Sequence, residues 1–454
     1  MKQAKVIYNK GFYIGDEVKY IDEMPLYLIS KGIVRIAVDS GLAYYKKGKT
    51  EKDLITGTID IKKEYRKCSA IITNIDELEE LNEFEKINVY DSIGIWLHEQ
   101  DLFYNSEEYI SLFFYPITLL YKNFSIKVYP IAKLYHDGKI IISHNIYFNK
   151  KISFKEFGNI VSNIEIEHIE SIELPTAFLN GIKFDTSKAY SREENEEKIE
   201  FIYLQNFKMI NKFIDLSKFL LLLFGAKNTS NIFYSRILYL IDNKELKDKE
   251  INQLLNGCMA EAKEIANGKD FRIFKDYYHY QNDSSTIIIG KNCSQFYPSI
   301  QSREEYIILQ IMKDSIIFKN AIENKYTYNQ LKALRLDYMM EENHYACSPY
   351  SEVNDSIMSV YNSMHKELRI KNLNTLLEDK MKEKEVKFQD TITLIALLFA
   401  CQPLTDYILI PLYSLYFNYI RFAYNEDFIK VYMFFIAILI VLIVYLLIRN
   451  KNIN

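Results

Sequence analysis

The sequence predicts an α/β (α+β) domain with a mixed sheet, joined by a long helical stalk to two C-terminal transmembrane helices. Three observations predict this arrangement: short apolar segments through about residue 185, a helical pattern without Gly or Pro between Ser351 and Pro403, and two apolar stretches in the last 65 residues. With only 14 Gly and 8 Pro among 454 residues, the chain has too few turn residues to favour a propeller or a β-sandwich.

Residues 1–190 are predicted to form a strand-rich domain. Eight apolar segments have the length or the alternation of β-strands, and one acidic segment, Asp76–Glu85, is predicted to be a helix. Strands interrupted by a helix favour a mixed sheet. The predicted strands are Lys5–Tyr8, Ile33–Val38, Leu54–Ile61, Ala70–Ile75, Ile87–Leu97, Phe113–Leu120, Ile126–Tyr135 and Ile140–Phe148.

Residues 191–348 are predicted to be a helical part of the cytosolic region. Ser191 is a suitable N-cap before an acidic first turn, and Ser302 with Glu305 forms a capping-box pattern at the start of a long helix. The predicted helices are about Ser191–Gly225, Asn231–Leu240, Lys249–Asn267 and Ser302–Glu341, and the aromatic-rich segment Phe271–Pro298 is predicted to be irregular.

The aromatic-rich segment also holds a candidate ligand site. Tyr277, Tyr278 and Tyr280, with Lys275 and Lys291 nearby, could stack on a nucleotide base and neutralise its phosphates. The alternative is that these tyrosines pack against the sheet, and such a pattern is more often structural than ligand-binding.

Motifs for catalysis are missing from the sequence. It contains no P-loop, no G-x-G-x-x-G, no G-x-S-x-G and no H-E-x-x-H, and its seven His residues are isolated. We therefore predict no enzyme, no catalytic residue and no identifiable metal ligand. A net charge of −4 with mixed signs provides no broad basic surface, so we do not expect direct binding to nucleic acid.

Residues 351–390 are predicted to be the stalk. A continuous helix from Ser351 to Pro403 would be about 80 Å long, which is too long for the interior of one compact domain. Its apolar residues recur every three or four positions, so one face needs a partner, and we predict self-association. These residues are Ile357, Val360, Met364, Leu368, Leu373, Leu376 or Leu377, and Met381.

The two predicted membrane spans are residues 391–410 and 430–449, joined by an external connection at 411–429. Val431–Ile448 is an uncharged stretch of 18 residues, long enough with its flanks to cross the ~30 Å hydrocarbon layer, and a buried core helix is the alternative. Lys and Arg residues cluster before the first span and after the second. The positive-inside rule therefore predicts a multi-pass protein of the cell (inner) membrane with both termini in the cytoplasm. The N-terminus has no apolar stretch of the kind that a secretory signal requires.

The first span carries polar residues that are predicted to share one face. At 100° per residue, Gln402, Thr405 and Asp406 all lie within about 60° of Thr391 around the helix. The same face carries Leu394, Ile395 and Leu398 between its polar ends. Polar mouths with an apolar middle suit a pore-lining helix with a dewetting gate. The alternative is that Asp406 reaches the outer interface and the helix is only an anchor.

The C-terminal part of the sequence resembles the CorA family of divalent-cation channels. Phe399–Thr405 (FACQPLT) is similar to the family's apolar stretch ending in Pro-Leu-Thr, and the layout of a large cytosolic part, long stalk and two spans is also shared. The resemblance implies that Thr405 lines the pore and that the channel is a pentamer with a divalent cation as its ligand. The pair Glu426 and Asp427 resembles the family's acidic outer loop.

The sequence departs from the family at its signature Gly-Met-Asn motif. Leu412, Tyr413 and Ser414 stand where that motif should fall, and the motif occurs nowhere in the chain. Carbonyl and amide oxygens at the mouth are what hydrated Mg²⁺ requires, so this departure puts selective Mg²⁺ uptake in doubt. The altered filter and enlarged cytosolic part resemble a divergent branch found with type III CRISPR systems, which is thought to comprise membrane effectors opened by a nucleotide second messenger.

Three functions therefore compete. The first is an oligomeric membrane channel or effector gated by an adenine-nucleotide messenger in antiviral defence. The second is a Mg²⁺ transporter of the CorA family with a degenerate filter. The third is a membrane-anchored sensor or interaction protein whose spans only attach it to the bilayer. Beyond a possible divalent cation or nucleotide ligand, no cofactor is predicted.

Overall fold

The structure is a computed structural model, and its residues form two compact units: Met1–Lys319 with Glu341–Ile370, and Asn320–Met340 with Lys371–Asn454. It describes residues 3–14, 28, 31–39, 58–62, 65–72, 82–89, 91–92, 109–148, 152–165, 167–180, 199–224, 231–241, 246–256, 269–270, 277–282, 284–291, 297–344, 366–418 and 426–453.

The first unit is built on one mixed sheet of 14 strands. Eleven strands follow the order β12-β13-β14-β11-β1-β8-β7-β5-β2-β4-β3, while β6, β9 and β10 extend from β7. The pair β11–β14 is parallel and the other described pairs are antiparallel, which confirms the predicted mixed sheet. The strands are β1 Gln3–Tyr13, β2 Val34–Asp39, β3 Thr58–Lys62, β4 Tyr65–Ile72, β5 Tyr109–Phe114, β6 Ile117–Tyr121, β7 Phe124–Tyr135, β8 Lys139–Phe148, β9 Ser171–Pro175, β10 Phe201–Gln205, β11 Asn231–Ile241, β12 Lys269–Asp270, β13 Tyr277–Gln281 and β14 Ser285–Gly290.

Helices cover both faces of this sheet. α1 (Phe154–Asn163), α2 (Phe213–Leu223) and α3 (Asp248–Asn256) contribute to one large apolar core, and α4 (Tyr297–Ile322) packs on the opposite face. Alternate residues of β1 point to the two sides because the side-chain period of a strand is two. Val6 and Tyr8 lie in the large core, whereas Ile7 packs with Ile300 of α4.

The second unit is helical. It contains most of α5 (Tyr328–His344) and of α6 (Lys366–Leu404), a π-helical turn at Thr405–Leu409, α7 (Ile410–Asn418) and α8 (Glu426–Ile453). Within the described residues one helix, Lys371–Leu415, is long and apolar enough to cross a membrane; a shorter apolar stretch covers Ile429–Ile443. The predicted long helix is thus confirmed, and the two membrane spans remain a prediction.

α5 runs antiparallel along the stalk part of α6. Arg335 pairs with Glu378 at 2.7 Å, and the Tyr328 hydroxyl donates to Glu385. Leu373 and Leu377, two of the apolar residues on the predicted face of the stalk, are buried within the single chain. At these two positions the apolar face therefore needs no second copy of the chain to cover it. Ile357, Val360 and Met364 lie outside the described residues.

Four predicted elements differ from the structure. Asn231–Leu240 is not a helix but strand β11, which is buried on both faces, so its continuous apolar run resembles a buried helix. The segment predicted as irregular contains β13 and β14. Residues 87–89 and 91–92, predicted as strand, are helical. Within the predicted helix Ser191–Gly225, the described residues form strand β10 and then a helix only at α2 (Phe213–Leu223). The sheet therefore continues well beyond residue 190.

Several predicted helix boundaries also need correction. α4 begins at Tyr297, so Ser302 and Glu305 lie inside the helix and not at its start. The helix predicted to run to Glu341 is interrupted between α4 and α5, where Thr327 and Gln330 form a capping box that starts α5. The first apolar helix does not end near residue 410, because Pro403 and Pro411 are both accommodated and α7 continues to Asn418. Glu426 and Asp427 are the first residues of α8 and not part of a loop.

Candidate functional site

Buried polar side chains are concentrated where α4 covers β1 and β8. The register places Asn9 opposite Ser143, and the Ser143 hydroxyl donates to the Asn9 amide oxygen at 2.7 Å. Gln301 of α4 donates to the same oxygen at 2.9 Å and to Glu305 at 2.7 Å. One hydrogen-bonded network therefore joins the centre of the sheet to α4.

A buried ion pair continues this network. Lys133 of β7 and Glu305 of α4 pair with side chains only 3% and 2% exposed. The Lys133 ammonium also donates to the Tyr109 hydroxyl at 3.3 Å and lies 4.6 Å from the centre of that ring. A buried charge is costly without a partner. Lys133 can therefore be buried under α4 only because α4 places Glu305 beside it.

A small cavity lies beside this ion pair. Its volume is about 20 Å³, which is room for about one water molecule. Lys5 pairs with Asp91 at 2.8 Å on its wall, and Asn145 donates to Asn88 at 2.7 Å. The Asn145 amide oxygen has no hydrogen-bond partner among the described residues, although the side chain is 4% exposed. The cavity can therefore accept a small hydrogen-bond donor, and any larger ligand requires α4 or the cavity-lining residues Asn88, Asp91 and Ser92 to move.

A second polar group lies on the opposite face of the sheet, under α2. His144 lies 2.7 Å from the Ser217 hydroxyl, and Lys10 donates to the carbonyl of Ile214 at 3.3 Å. Burial lowers the pKa of Lys10 to about 8. Burial, with a smaller contribution from the Lys10 charge, holds the pKa of His144 well below its usual value. Both groups therefore lose their proton at a lower pH than they would in water.

The predicted nucleotide-binding tyrosines lie on strand β13. Tyr277 packs with Ile7 and Ile300 on the α4 side, while Tyr280 lies in the large core on the other side. Tyr278 is half-buried, and its ring stacks on that of Tyr280 with centres 6.4 Å apart. Lys291 is exposed just after β14. The tyrosines are therefore divided between the two faces of the sheet, as expected if they pack against it and do not form one ligand site. Lys275 lies outside the described residues.

The apolar helices place most predicted pore residues on the outside of the single chain. Thr391, Gln402 and Asp406 are exposed, as are the apolar Ile395 and Leu398. Leu394 is half-buried.

Thr405 is separated from the other predicted pore residues. It is 3% exposed, and its hydroxyl donates to the carbonyl of Cys401 at 2.7 Å. Cys401, one turn earlier on the same side, packs with Ala437 and Val441 of α8. Thr405 therefore lies on the side of the helix that α8 covers, and the four polar residues do not share one exposed face.

Sequence reasoning missed the polar network under α4. Its signal was present: Lys5, Asn9, Lys133 and Asn145 are polar residues within strands that are mostly apolar. Their convergence depends on strand register and on the position of α4, which a local pattern does not contain. No protein-family model, curated protein or solved structure matches the chain, so the sites are interpreted from their own geometry.

Proposed function

We propose that this chain is a homo-oligomeric membrane channel or effector of CorA-like architecture, gated by a nucleotide second messenger bound in its cytosolic part. The exposed apolar surface of the second unit is the observation that carries the proposal. In the most apolar stretch of 18 residues within Lys371–Leu415, only 11% of the residues are buried. Phe399 and Tyr407 are 78% and 81% exposed. Soluble monomers rarely expose continuous apolar surface of this extent, whereas a bilayer would cover it.

Polar residues on this apolar surface support an oligomeric pore over a simple anchor. Gln402 and Asp406 are exposed among apolar neighbours. A carboxylate in the hydrocarbon layer is costly, and such residues usually face a bundle interior or a water-filled pathway. Several copies of the helix around an axis would provide that pathway, with Ile395 and Leu398 as its apolar constriction.

The cytosolic unit provides a place for a ligand to act. Its buried polar network joins the sheet to α4, and no described residue donates a hydrogen bond to the Asn145 oxygen in the adjoining cavity. A ligand opens a channel only if it binds the open state more tightly than the closed state. An adenine-nucleotide messenger that displaces α4 would meet this condition, and its expected setting is type III CRISPR antiviral defence.

Flux from liposomes containing the full-length purified protein tests the proposal. We expect no flux at any Mg²⁺ concentration and a large flux when the adenine-type messenger is added. Asp406→Asn should strongly reduce cation flux without reducing membrane insertion, because it removes the charge and keeps the size. Asp379→Asn, at an exposed position of the stalk, is the matched control and should leave flux unaltered.

The alternative functions give different results in the same assay. Opening on Mg²⁺ removal alone would favour the Mg²⁺ transporter. A chain that inserts into membranes, stays monomeric in crosslinking and conducts nothing with any messenger would favour the anchored sensor. Either result would overturn the effector proposal.

A further inference from the structure

Strand β10 forms an open edge of the sheet. It pairs with β9, and among the described strands it has no partner on its other side. The N–H of Asn206, just after the strand, donates to the carbonyl of Glu170 just before β9. In an antiparallel pair such bonds recur at every second residue. The main-chain N–H and C=O groups of Phe201, Tyr203 and Gln205 therefore point away from β9, toward the open edge.

This edge differs from the two ends of the main row of strands. Those ends are β12, which consists only of Lys269 and Asp270, and β3, which carries Asp60 and Lys62. Short strands, charges and prolines are the features by which natural sheets prevent pairing between edges. β10 has the sequence Phe-Ile-Tyr-Leu-Gln, without charge, Pro or Gly, and pairs with β9 in regular register. β10 therefore lacks the protection that the other two edges have.

The residues whose main chain points to the open edge also have exposed side chains. Phe201 and Tyr203 are 46% and 57% exposed, and Gln205 is exposed as well. Ile202 and Leu204 point to the other face of the sheet and pack against the large core. A strand added at this edge would therefore gain main-chain hydrogen bonds and would also cover part of two aromatic rings.

We infer that the occupant of this edge is β10 of a second copy of the chain, paired antiparallel about a two-fold axis at Tyr203. In this register Phe201 faces Gln205 of the second copy, and the two Tyr203 residues face each other. All the edge-pointing main-chain groups then find partners, with about six hydrogen bonds formed. Other registers that keep these bonds pair fewer residues of β10. The strand is thus complementary to itself, as a two-fold interface requires, and aromatic pairs across strands add to its stability.

Cysteine crosslinking of the full chain in detergent tests the register. The Cα atoms of a hydrogen-bonded antiparallel pair lie about 5.5 Å apart, within the range that a disulfide bridges. Oxidation of Tyr203→Cys should therefore give a covalent dimer. The two copies of residue 201 lie about 13 Å apart along the strands, so Phe201→Cys alone should not crosslink. The same holds for Gln205→Cys alone, whereas Phe201→Cys and Gln205→Cys expressed together should crosslink.

The wild-type chain, with its five native Cys residues, gives the background of this assay. Equal crosslinking of Tyr203→Cys and Phe201→Cys would show random collision and would overturn the inference. Absence of a dimer with Tyr203→Cys would also overturn it.

Tyr203→Lys tests the same contact without a crosslink. It places two like charges opposite each other, so the particle mass of the full chain, measured by light scattering at high protein concentration, should fall to about half. Thr118→Lys is the matched control, because it lies on the same face of the sheet but two strands from the edge. It should leave the mass unaltered. Equal masses for Tyr203→Lys and the wild-type chain would overturn the inference.

The outcome does not depend on the proposed channel. The β10 contact uses the same surface on both copies, whereas a pore requires copies arranged around a central axis. A dimer with Tyr203→Cys in a protein that conducts nothing would overturn the channel and support the strand pair. Messenger-dependent flux without that dimer would support the channel and overturn the strand pair.

Discussion

The two units of the molecule place their carboxylates in opposite situations. In the sheet-rich unit, Glu305 is buried against Lys133 and accepts a hydrogen bond from Gln301. In the helical unit, Asp406 is exposed on an apolar helix and has no ion pair or side-chain hydrogen bond among the described residues. The comparison indicates that the buried carboxylate of the first unit is paired within one chain, while the exposed carboxylate of the second unit has no such partner among the described residues.

The largest effect expected from this comparison is at the buried ion pair. Glu305→Ala should lower the free energy of unfolding by about 3–5 kcal/mol, because it leaves the Lys133 charge buried without its partner. Urea unfolding of the full chain in detergent, followed by circular dichroism, measures the loss. Asp406→Asn should leave the same transition unaltered.

The double variant Lys133→Met with Glu305→Leu provides the control. Replacing both charges by apolar groups of similar size should recover most of the lost stability, since the cost comes from the uncompensated charge. If Glu305→Ala and Asp406→Asn had equal effects on unfolding, the contrast between the two units would be wrong.

The second effect concerns pH and the buried Lys10. Burial lowers its pKa to about 8 in the folded protein, opposed by Glu165 and Asp215 and assisted by Lys218. Between about pH 8 and 10.5 the unfolded chain therefore binds more protons than the folded chain, and the Lys10 contribution to the free energy of unfolding rises with pH. Across this window the rise is about 3 kcal/mol.

Comparison with Lys10→Met isolates this contribution. The variant lacks the titrating group, so the difference in unfolding free energy between the wild-type protein and the variant should change with pH in the direction that favours the wild type. Tyrosines that ionise at high pH are present in both proteins. Urea midpoints from pH 7.5 to 9.5 are the measurement, and parallel pH curves would show that Lys10 is hydrated and not buried.

The contrast between the units also explains what could be predicted from sequence. The mixed sheet and the long helix follow from local patterns, and β7 and β8 were predicted nearly to their ends. β11 was mistaken for a helix because a strand buried on both faces loses its alternation. The site under α4 depends on non-local register, since Lys133 and Glu305 are 172 residues apart. The π-helical turn has no periodic signal, although the missing N–H of Pro411 indicates where a helix can depart from the α register.

The smallest effect concerns how tightly α4 closes the polar face of the sheet, and it depends on Gly11 of β1. A Cβ atom there would lie 2.5 Å from Ile308 Cγ2 and 2.8 Å from Met312 Sδ, and both side chains are fully buried in α4. Gly11→Ala should therefore cost about 1–3 kcal/mol of unfolding free energy, because overpacking forces α4 away from the sheet.

Gly158→Ala in α1 is the matched control for the same substitution. The new Cβ would lie 2.9 Å from Gln253 Nε2, the far end of a side chain that can move, and Ala is favoured over Gly in a helix by about 1 kcal/mol. Its unfolding free energy should be unaltered or slightly higher, whereas Gly11→Ala with Met312→Ala should recover part of the loss. If Gly11→Ala and Gly158→Ala had the same effect on the unfolding free energy, α4 would not be tightly packed against the sheet. The network from Asn9 through Gln301 to Glu305 would then not be closed within one chain, and the sheet-rich unit, like the helical one, would depend on an outside partner.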